Sequence, residues 1–590
     1  MPVAAKENYL SKSKEYQHAT AMSGGLEEPK APAAVNKTSG GNAAYHNFHN
    51  DFLHIQDPNE RRRLALAEID AAPFGWYHVR AVVVAGVGFF TDSYDIFAVS
   101  LLTLMLGIVY YPSTGSMPAS SDNAIKLATS AGTVIGQLGF GYLADHVGRK
   151  KMYGLELIII IFATVAQALS SNSPSVDVVG LIIFWRVLMG IGIGGDYPLS
   201  SIITSEFATT KWRGAMMGAV FAMQGLGQLC CAIVMLCVTA GFKQSLIGSP
   251  STKQCGGDCA IAVDKMWRVV IGFGAVPATI ALYYRLTIPE TPRYTFDVGR
   301  DVEKATDDVR AYMSGKSEGK PDEVARIQAR DAAQTEMQIP KASWADFIRH
   351  FSIPKNGLLL LGTAGSWFML DVAYYGLSLN NAAILNIIGY STKNLRTYEV
   401  LYNTAIGNLI IVLAGAVPGY WVTVATVDTI GRKTIQMGGF IILTILFTVM
   451  GFGYNYIMAH SQNGLLAIYV LAQFFFNFGP NATTFIVPGE VFPTRYRSTA
   501  HGISAASGKI GSIIGQAAIS TLKSRGATPG NESPWMDHVL EIYALFMLLG
   551  CFTTLCIPET KRKTLEKLCG EDQPAPLPAS AHAPKHSESA

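Results

Sequence analysis

The chain has 590 residues, of which 49% are hydrophobic and only 15% charged. Soluble domains carry about 25% charge, so the composition excludes an ordinary soluble fold. A formal net charge of +3 gives no sign of nucleic-acid binding, and eight cysteines are too few for a disulfide scaffold.

Residues 1 to about 75 are polar and lack period; they read as largely disordered, apart from a short helix from Pro58 to Ile69. The N-terminus has no apolar core, so no cleavable signal peptide is expected. Apolar segments long enough to cross a bilayer follow, with cores near 80–108, 123–143, 152–170, 178–205, 214–241 and 267–287. A charged stretch intervenes from about Pro289 to Pro354. A second set covers 356–387, 398–426, 434–456, 464–488, 499–522 and 537–557. The expected division is an N-terminal segment 1–78, a six-helix bundle 79–288, a central loop 289–354, a second six-helix bundle 355–558, and a disordered tail 559–590.

The halves repeat. Asp145-His146-Val147-Gly148-Arg149-Lys150 follows the second span, and Asp428-Thr429-Ile430-Gly431-Arg432-Lys433 follows the eighth, 283 residues later. Glu206 and Arg213 follow the fourth span; Glu490 and Arg497 follow the tenth at the same spacing. Ile288-Pro289-Glu290-Thr291 closes the sixth span, and Ile557-Pro558-Glu559-Thr560 closes the twelfth. Two parallel six-helix repeats predict an all-α membrane protein of twelve transmembrane helices, two pseudo-symmetric bundles, and a site at the midplane between them.

Lysine and arginine in short loops set the orientation. Arg61–Arg63, Arg149–Lys151, Lys211, Arg213, Arg432, Lys433, Arg495 and Arg497 all lie on one side, while the opposite loops YYPSTGSMPASSD, SSNSPSVD and AHSQNG carry none. The termini and the central loop are therefore expected in the cytoplasm. Asn531-Glu532-Ser533 then falls outside as a candidate glycosylation site. Cys255 and Cys259, in a loop on that side, are the one plausible disulfide; a zinc site would need two further ligands nearby, and none appear.

The fourth span carries Gly194-Gly195-Asp196-Tyr197-Pro198. An acid in such a span costs about 2.5 to 3.5 kcal/mol and marks a functional site by default. The glycines admit a close neighbour, and Pro198 cannot donate to the carbonyl of Gly194, which loosens the helix. Arg186 lies about 80° around the same helix. A packing contact that tolerates an acid is the alternative. Trp367, Asp371 and Tyr375 in the seventh span share one helical face. Without Asp371 the two aromatics would read as packing residues. Gln224 and Asn481 lie deep in their spans and could equally bond a neighbouring helix. Lys509 is the one cation of the eleventh span and needs an anionic partner or substrate.

The GRK loops and the Pro-Glu-Thr ends resemble the major facilitator superfamily. GGDYPLS at 194–200, Thr91-Asp92-Ser93-Tyr94-Asp95 and FGPNATTF at 478–485 together resemble the phosphate:proton symporter family, specifically fungal high-affinity inorganic phosphate transporters. The resemblance covers about residues 45–565. It implies proton-coupled import of inorganic phosphate across the plasma membrane by alternating access. It implies that Tyr197, Gln224, Trp367, Asp371, Tyr375 and Asn481 surround phosphate, with Lys509 in binding or coupling. It places the proton route among Asp92, Glu156 and Asp196, with Asp95 and Asp371 the other candidate acids and Arg186 a candidate partner. Glu156 reads equally as a salt bridge at the cytoplasmic helix end. Asp145, Arg149, Glu206, Arg213, Asp428, Arg432, Glu490 and Arg497 resemble the superfamily's gate latches, a solvated charged rim being the alternative.

Phosphate oxygens accept from phenols, the indole, amides and an ammonium. A carboxylate beside phosphate repels it, so either Asp371 or the phosphate must carry a proton, which ties anion affinity to proton occupancy. A sugar site would need no buried lysine. A nutrient receptor remains open: the central loop and tails leave room for regulatory or ubiquitination partners at Lys304, Lys316 or Lys320. No enzyme is expected, for the chain has no P-loop, no HExxH and no Ser/His/Asp set, nor is any cofactor or metal.

Overall fold

The computed structural model describes residues 58–286, 290–298, 343–390, 395–528 and 533–571. Lys304, Lys316, Lys320 and Asn531 lie outside them.

Ten helical segments among the described residues are long and apolar enough to cross a membrane. Two further long helices, Ala119–Val147 and Arg497–Leu522, are too polar to meet that standard, and with them the spans number twelve. Their polarity follows from their place. The second and eleventh spans face each other across the bundle boundary, where a Cβ on Gly502 would come within 2.3 Å of the Gln137 carbonyl. Helices that meet protein on most sides carry glycine, serine and threonine where lipid-facing helices carry leucine.

Several spans are interrupted. The first is Trp76–Phe97 followed by Val99–Tyr110, the sixth Asp258–Phe273 followed by Ala275–Leu286, and the tenth Gln462–Asn477 followed by Pro480–Val491. The eighth joins Thr397–Ile411 to Val417–Ile430 through a π-helical turn at Val412–Ala416. The seventh span is shorter than its apolar stretch: the helix Pro354–Ser378 ends and a separate short helix, Asn381–Ile387, follows. The fourth span, Val178–Phe207, continues through Pro198 without a break. The expected loosening there is limited to one absent hydrogen bond. Its neighbours hold it straight: a Cβ on Gly194 would lie 2.4 Å from the Thr133 carbonyl of the second span.

The duplication shows at atomic detail. Gly148 and Gly431 both adopt positive φ, 112° and 109°, which only glycine accepts without strain. Glu290 then accepts from the Lys150 amide at 3.2 Å, and Glu559 from the Lys433 amide at 3.0 Å.

The tail departs from expectation. Residues 559–571 are not without structure: they include a helix, Leu565–Cys569, and pack against the bundles. Glu566 receives Arg293 at 2.9 Å and Glu571 receives Arg495 at 2.8 Å. The helix Pro58–Ala71 joins the same face, with Arg62 paired to Asp297 and Asp70 to Arg213 and Arg293. Arginine burial at this face therefore supplies partners for an otherwise soluble-looking tail.

Candidate functional site

Six spans contribute to one buried polar cluster. Tyr197 and Tyr375 hydroxyls stand 3.4 Å apart. Gln224 donates to the Tyr197 hydroxyl at 3.0 Å and accepts from Tyr420 at 3.2 Å. Asn481 donates to Tyr420 at 3.0 Å and to Asn477 at 2.7 Å. Lys509 Nζ lies 3.1 Å from Asp371 Oδ2 and 3.8 Å above the centre of the Tyr375 ring. The Trp367 ring stands 6.2 Å from that of Tyr197 and edge-on to His501. Trp367, Asp371 and Tyr375 are all buried, so the stripe on the seventh span faces protein.

The close approach needs Gly508, where a Cβ would fall 2.5 Å from the Trp367 ring and 2.9 Å from Asp371. A buried ion pair gains only where its remaining valences are met. Asp371 Oδ1 has no partner, so the pair is incompletely satisfied and open to exchange. All seven expected substrate-site residues meet here. Tyr420 joins them and links Gln224 to Asn481; in the sequence it is one tyrosine among 25.

A second cluster lies on the first, third, fourth and sixth spans. Arg285 donates to Glu156 at 2.8 Å and to Asp196 at 2.8 Å, both fully buried. Glu156 also accepts from the Gly154 amide, and Asp196 from Ser200. Asp92 stands near Asp196, across from the fourth span, and neither of its carboxyl oxygens has a hydrogen-bond partner. Two carboxyls thus share one guanidinium with a third, Asp92, beside them, and ionisation of all three would leave uncompensated buried charge. The candidate acids Asp92, Glu156 and Asp196 come together, but Arg186 does not pair with them. Arg285, at the GRK-loop end of its span, takes that place. Arg186 instead attracts Asp95, which accepts from Thr164 at 3.0 Å.

The bundles are bridged at both ends. At the GRK-loop end, Asp145 accepts from the Thr499 amide at 2.7 Å and from the Ser498 amide at 3.3 Å. Asp428 accepts from Ala215 at 2.7 Å and Gly214 at 3.2 Å. Each aspartate thereby satisfies orphan amides at the start of a helix in the opposite bundle, where the helix dipole favours negative charge. Arg497 reaches Glu206 at 3.0 Å, and Arg149 stands 3.5 Å from the same carboxylate. Arg432 pairs with Glu490 at 2.8 Å and with Asp428 at 2.8 Å. Arg213 departs from this symmetry: it binds Asp70 and the Lys563 carbonyl rather than Glu490. At the opposite end, Lys126 donates to Asn380 at 2.9 Å, Ser130 meets Ser512 at 3.1 Å and Ser249 meets Thr397 at 2.9 Å. Cys255 and Cys259 form a disulfide at that end.

Residues 81–569 match the family described as "Sugar (and other) transporter". A repressible high-affinity phosphate permease of Neurospora crassa is 76% identical over 537 residues, 91% of this chain and 94% of the relative. The inorganic phosphate transporter PHO84 of Saccharomyces cerevisiae is 57% identical over 541 residues, 90% and 91% of the two chains. Inorganic phosphate transporter 1-1 of Arabidopsis thaliana is 40% identical over 529 residues, 87% and 98%. Among solved structures, the proton:xylose symporter XylE bound to 6-bromo-6-deoxy-D-glucose is similar in fold, with TM-score 0.61 at 19% identity, covering 83% of this chain and 98% of that one.

Proposed function

The chain belongs to the sugar (and other) transporter family of the major facilitator superfamily, within its inorganic phosphate transporters, and from that premise we propose that it imports inorganic phosphate together with protons by alternating access. The observation that carries the reading is the Lys509–Asp371 pair inside a cage of phenol and amide donors. An incoming phosphate takes hydrogen bonds from Tyr197, Tyr375, Gln224, Asn481 and the Trp367 indole, and competes with Asp371 for Lys509. Asp371 then loses its cation beside an anion, and a proton on its carboxyl removes the repulsion. Release follows the reverse order: Asp371 gives up its proton, recovers Lys509 and expels the anion.

The Asp92–Asp196–Glu156–Arg285 cluster adjoins Tyr197 through Asp196, its neighbour on the fourth span. Its spare carboxyl capacity suits a proton path between the central site and the GRK-loop end. With both ends bridged, the arrangement corresponds to an occluded stage of the cycle. Breaking the Asp145, Asp428 and Arg497 latches opens the GRK-loop end; breaking the Lys126, Ser130 and Ser249 bridges opens the other.

The protein is a multi-pass membrane protein. We place it in the plasma membrane with both termini in the cytoplasm. Arginine and lysine concentrate at the GRK-loop end, and the Cys255–Cys259 disulfide belongs to an oxidising exterior. The test is uptake of labelled phosphate into proteoliposomes with and without an inward proton gradient. Gradient-dependent accumulation supports the reading; accumulation of a sugar, or of neither, overturns it.

A further inference from the structure

A small cavity, about 10 Å³ with the Lys126–Asn380 bridge closed, adjoins the phenol–amide cage between the second, fourth, seventh and eleventh spans. Its lining includes Lys126, Arg186, Lys509, Thr129, Ser130 and Thr133. The four residues from the second span stand at i, i+3, i+4 and i+7, which places them on one helical face. Three cations point into this space and no carboxylate is among its described lining residues. Asp122 holds Lys126 at 2.8 Å and Asp371 holds Lys509 at 3.1 Å, each from outside that lining.

Two lining side chains have unmet valences. Arg186 donates from Nε to the Ile125 carbonyl at 3.1 Å, but its Nη1 has no partner; the Thr129 hydroxyl has none either. Arg186 is 1% exposed and Thr129 4%. A buried polar group without a partner costs about 1–3 kcal/mol, more if charged, so such groups collect where a ligand completes them. The cavity lies on the Lys126–Asn380 side of Tyr375, toward the loop that carries the disulfide. Tyr375 and Lys509 belong to both spaces and form the wall between them.

We propose that this cavity is a second anion site, an antechamber in which inorganic phosphate is held by Lys126, Arg186 and the Thr129 hydroxyl before Lys509 draws it past Tyr375. The assignment rests on the phosphate reading above. Lys126 is the capturing residue. Its hydrogen bond to Asn380 ties the two bundles, and an arriving anion exchanges with that amide. Capture of phosphate and release of the outer bridge are then one event. The three cations favour an anion there over a neutral solute.

The test measures initial phosphate uptake against external phosphate in proteoliposomes, alongside equilibrium phosphate binding to the purified protein. Lys126→Gln keeps side-chain length and hydrogen bonding but removes the charge. It should raise KM about tenfold, leave maximal uptake within about twofold, and leave the tight equilibrium Kd in place. Lys126→Arg should restore KM to within about threefold. Thr129→Val, which removes only the unpartnered hydroxyl, should raise KM about threefold, and it decides the matter if Lys126→Gln fails to fold. Wild-type KM in Lys126→Gln, or in Thr129→Val, overturns the antechamber. So does an equal rise in KM and Kd, which would make Lys126 part of a single site. Absence of phosphate uptake by the wild-type protein would instead overturn the functional reading itself.

Discussion

Arg285 donates to Asp196 at 2.8 Å from the far end of a different span, and the same guanidinium serves Glu156 at 2.8 Å. Arg285→Gln leaves the buried carboxyls of Asp196 and Glu156 without their cation. Breaking a buried pair in this way costs about 3–5 kcal/mol. The melting temperature of the purified protein should fall accordingly, and Arg285→Lys should recover part of the loss. Adding Asp196→Asn to Arg285→Gln should make the double variant more stable than the sum of the two single changes. Simple additivity would show that the two side chains do not share one charge balance.

The bridges at the GRK-loop end are unequal. Arg497 crosses to Glu206 in the opposite bundle, whereas Arg213 binds Asp70 and a tail carbonyl. Arg497→Ala should favour opening at that end. Spin labels at the exposed Val147 and Ile430 should report a longer mean distance than in the wild type. Arg213→Ala should lengthen it less, because it loosens the helix Pro58–Ala71 before it frees the bundles. Equal lengthening would contradict the asymmetry.

The tail has its own pH signature. Burial works against ionisation of Glu566, but Arg293 outweighs it and lowers the carboxyl from 4.5 to about 2. A carboxyl lowered on folding stabilises above its unfolded pKa and loses that contribution as pH falls toward its folded value. The advantage of wild type over Glu566→Gln in thermal melting should therefore be full near pH 6 and shrink steadily from pH 5 to pH 3. Asp346, held at about 2 against burial by Tyr496, Arg349 and Arg495, should behave alike. A constant difference across that range would place Glu566 outside the ion-pair network.

The disulfide closes a very short loop, so the chain-entropy account gives it about 2 kcal/mol. Replacing Cys255 and Cys259 together with serine should lower the melting temperature modestly and leave phosphate uptake unchanged. Loss of uptake would give that loop a part in transport.

Spans, duplication and most of the central cluster were legible because charge and amide groups are so costly in apolar segments that Asp196, Asp371 and Lys509 stand out. Arg285 escaped notice for the opposite reason. It sits in the last turn of its span, where arginine usually meets water, yet it is fully buried. Lys126 lies four residues after Asp122 beside a polar loop and resembles a surface pair, although its ammonium is buried against Asn380. Tyr420 is one phenol in an apolar segment, and only the fold brings it between Gln224 and Asn481. The structure of residues 559–571 depends on arginines from distant segments, which no local pattern in the tail announces.

The central claim is that the Asp371 carboxyl couples protons to phosphate through Lys509. Asp371→Asn keeps a hydrogen-bonding side chain but cannot release a proton. The decisive measurement pairs equilibrium phosphate binding across pH with gradient-driven uptake in proteoliposomes. Binding should survive within about tenfold, about 1.4 kcal/mol, with a flatter pH dependence, while concentrative uptake collapses. An asparagine variant that still concentrates phosphate at the wild-type rate would contradict the account and move the coupling proton to Asp92, Asp95 or Asp196.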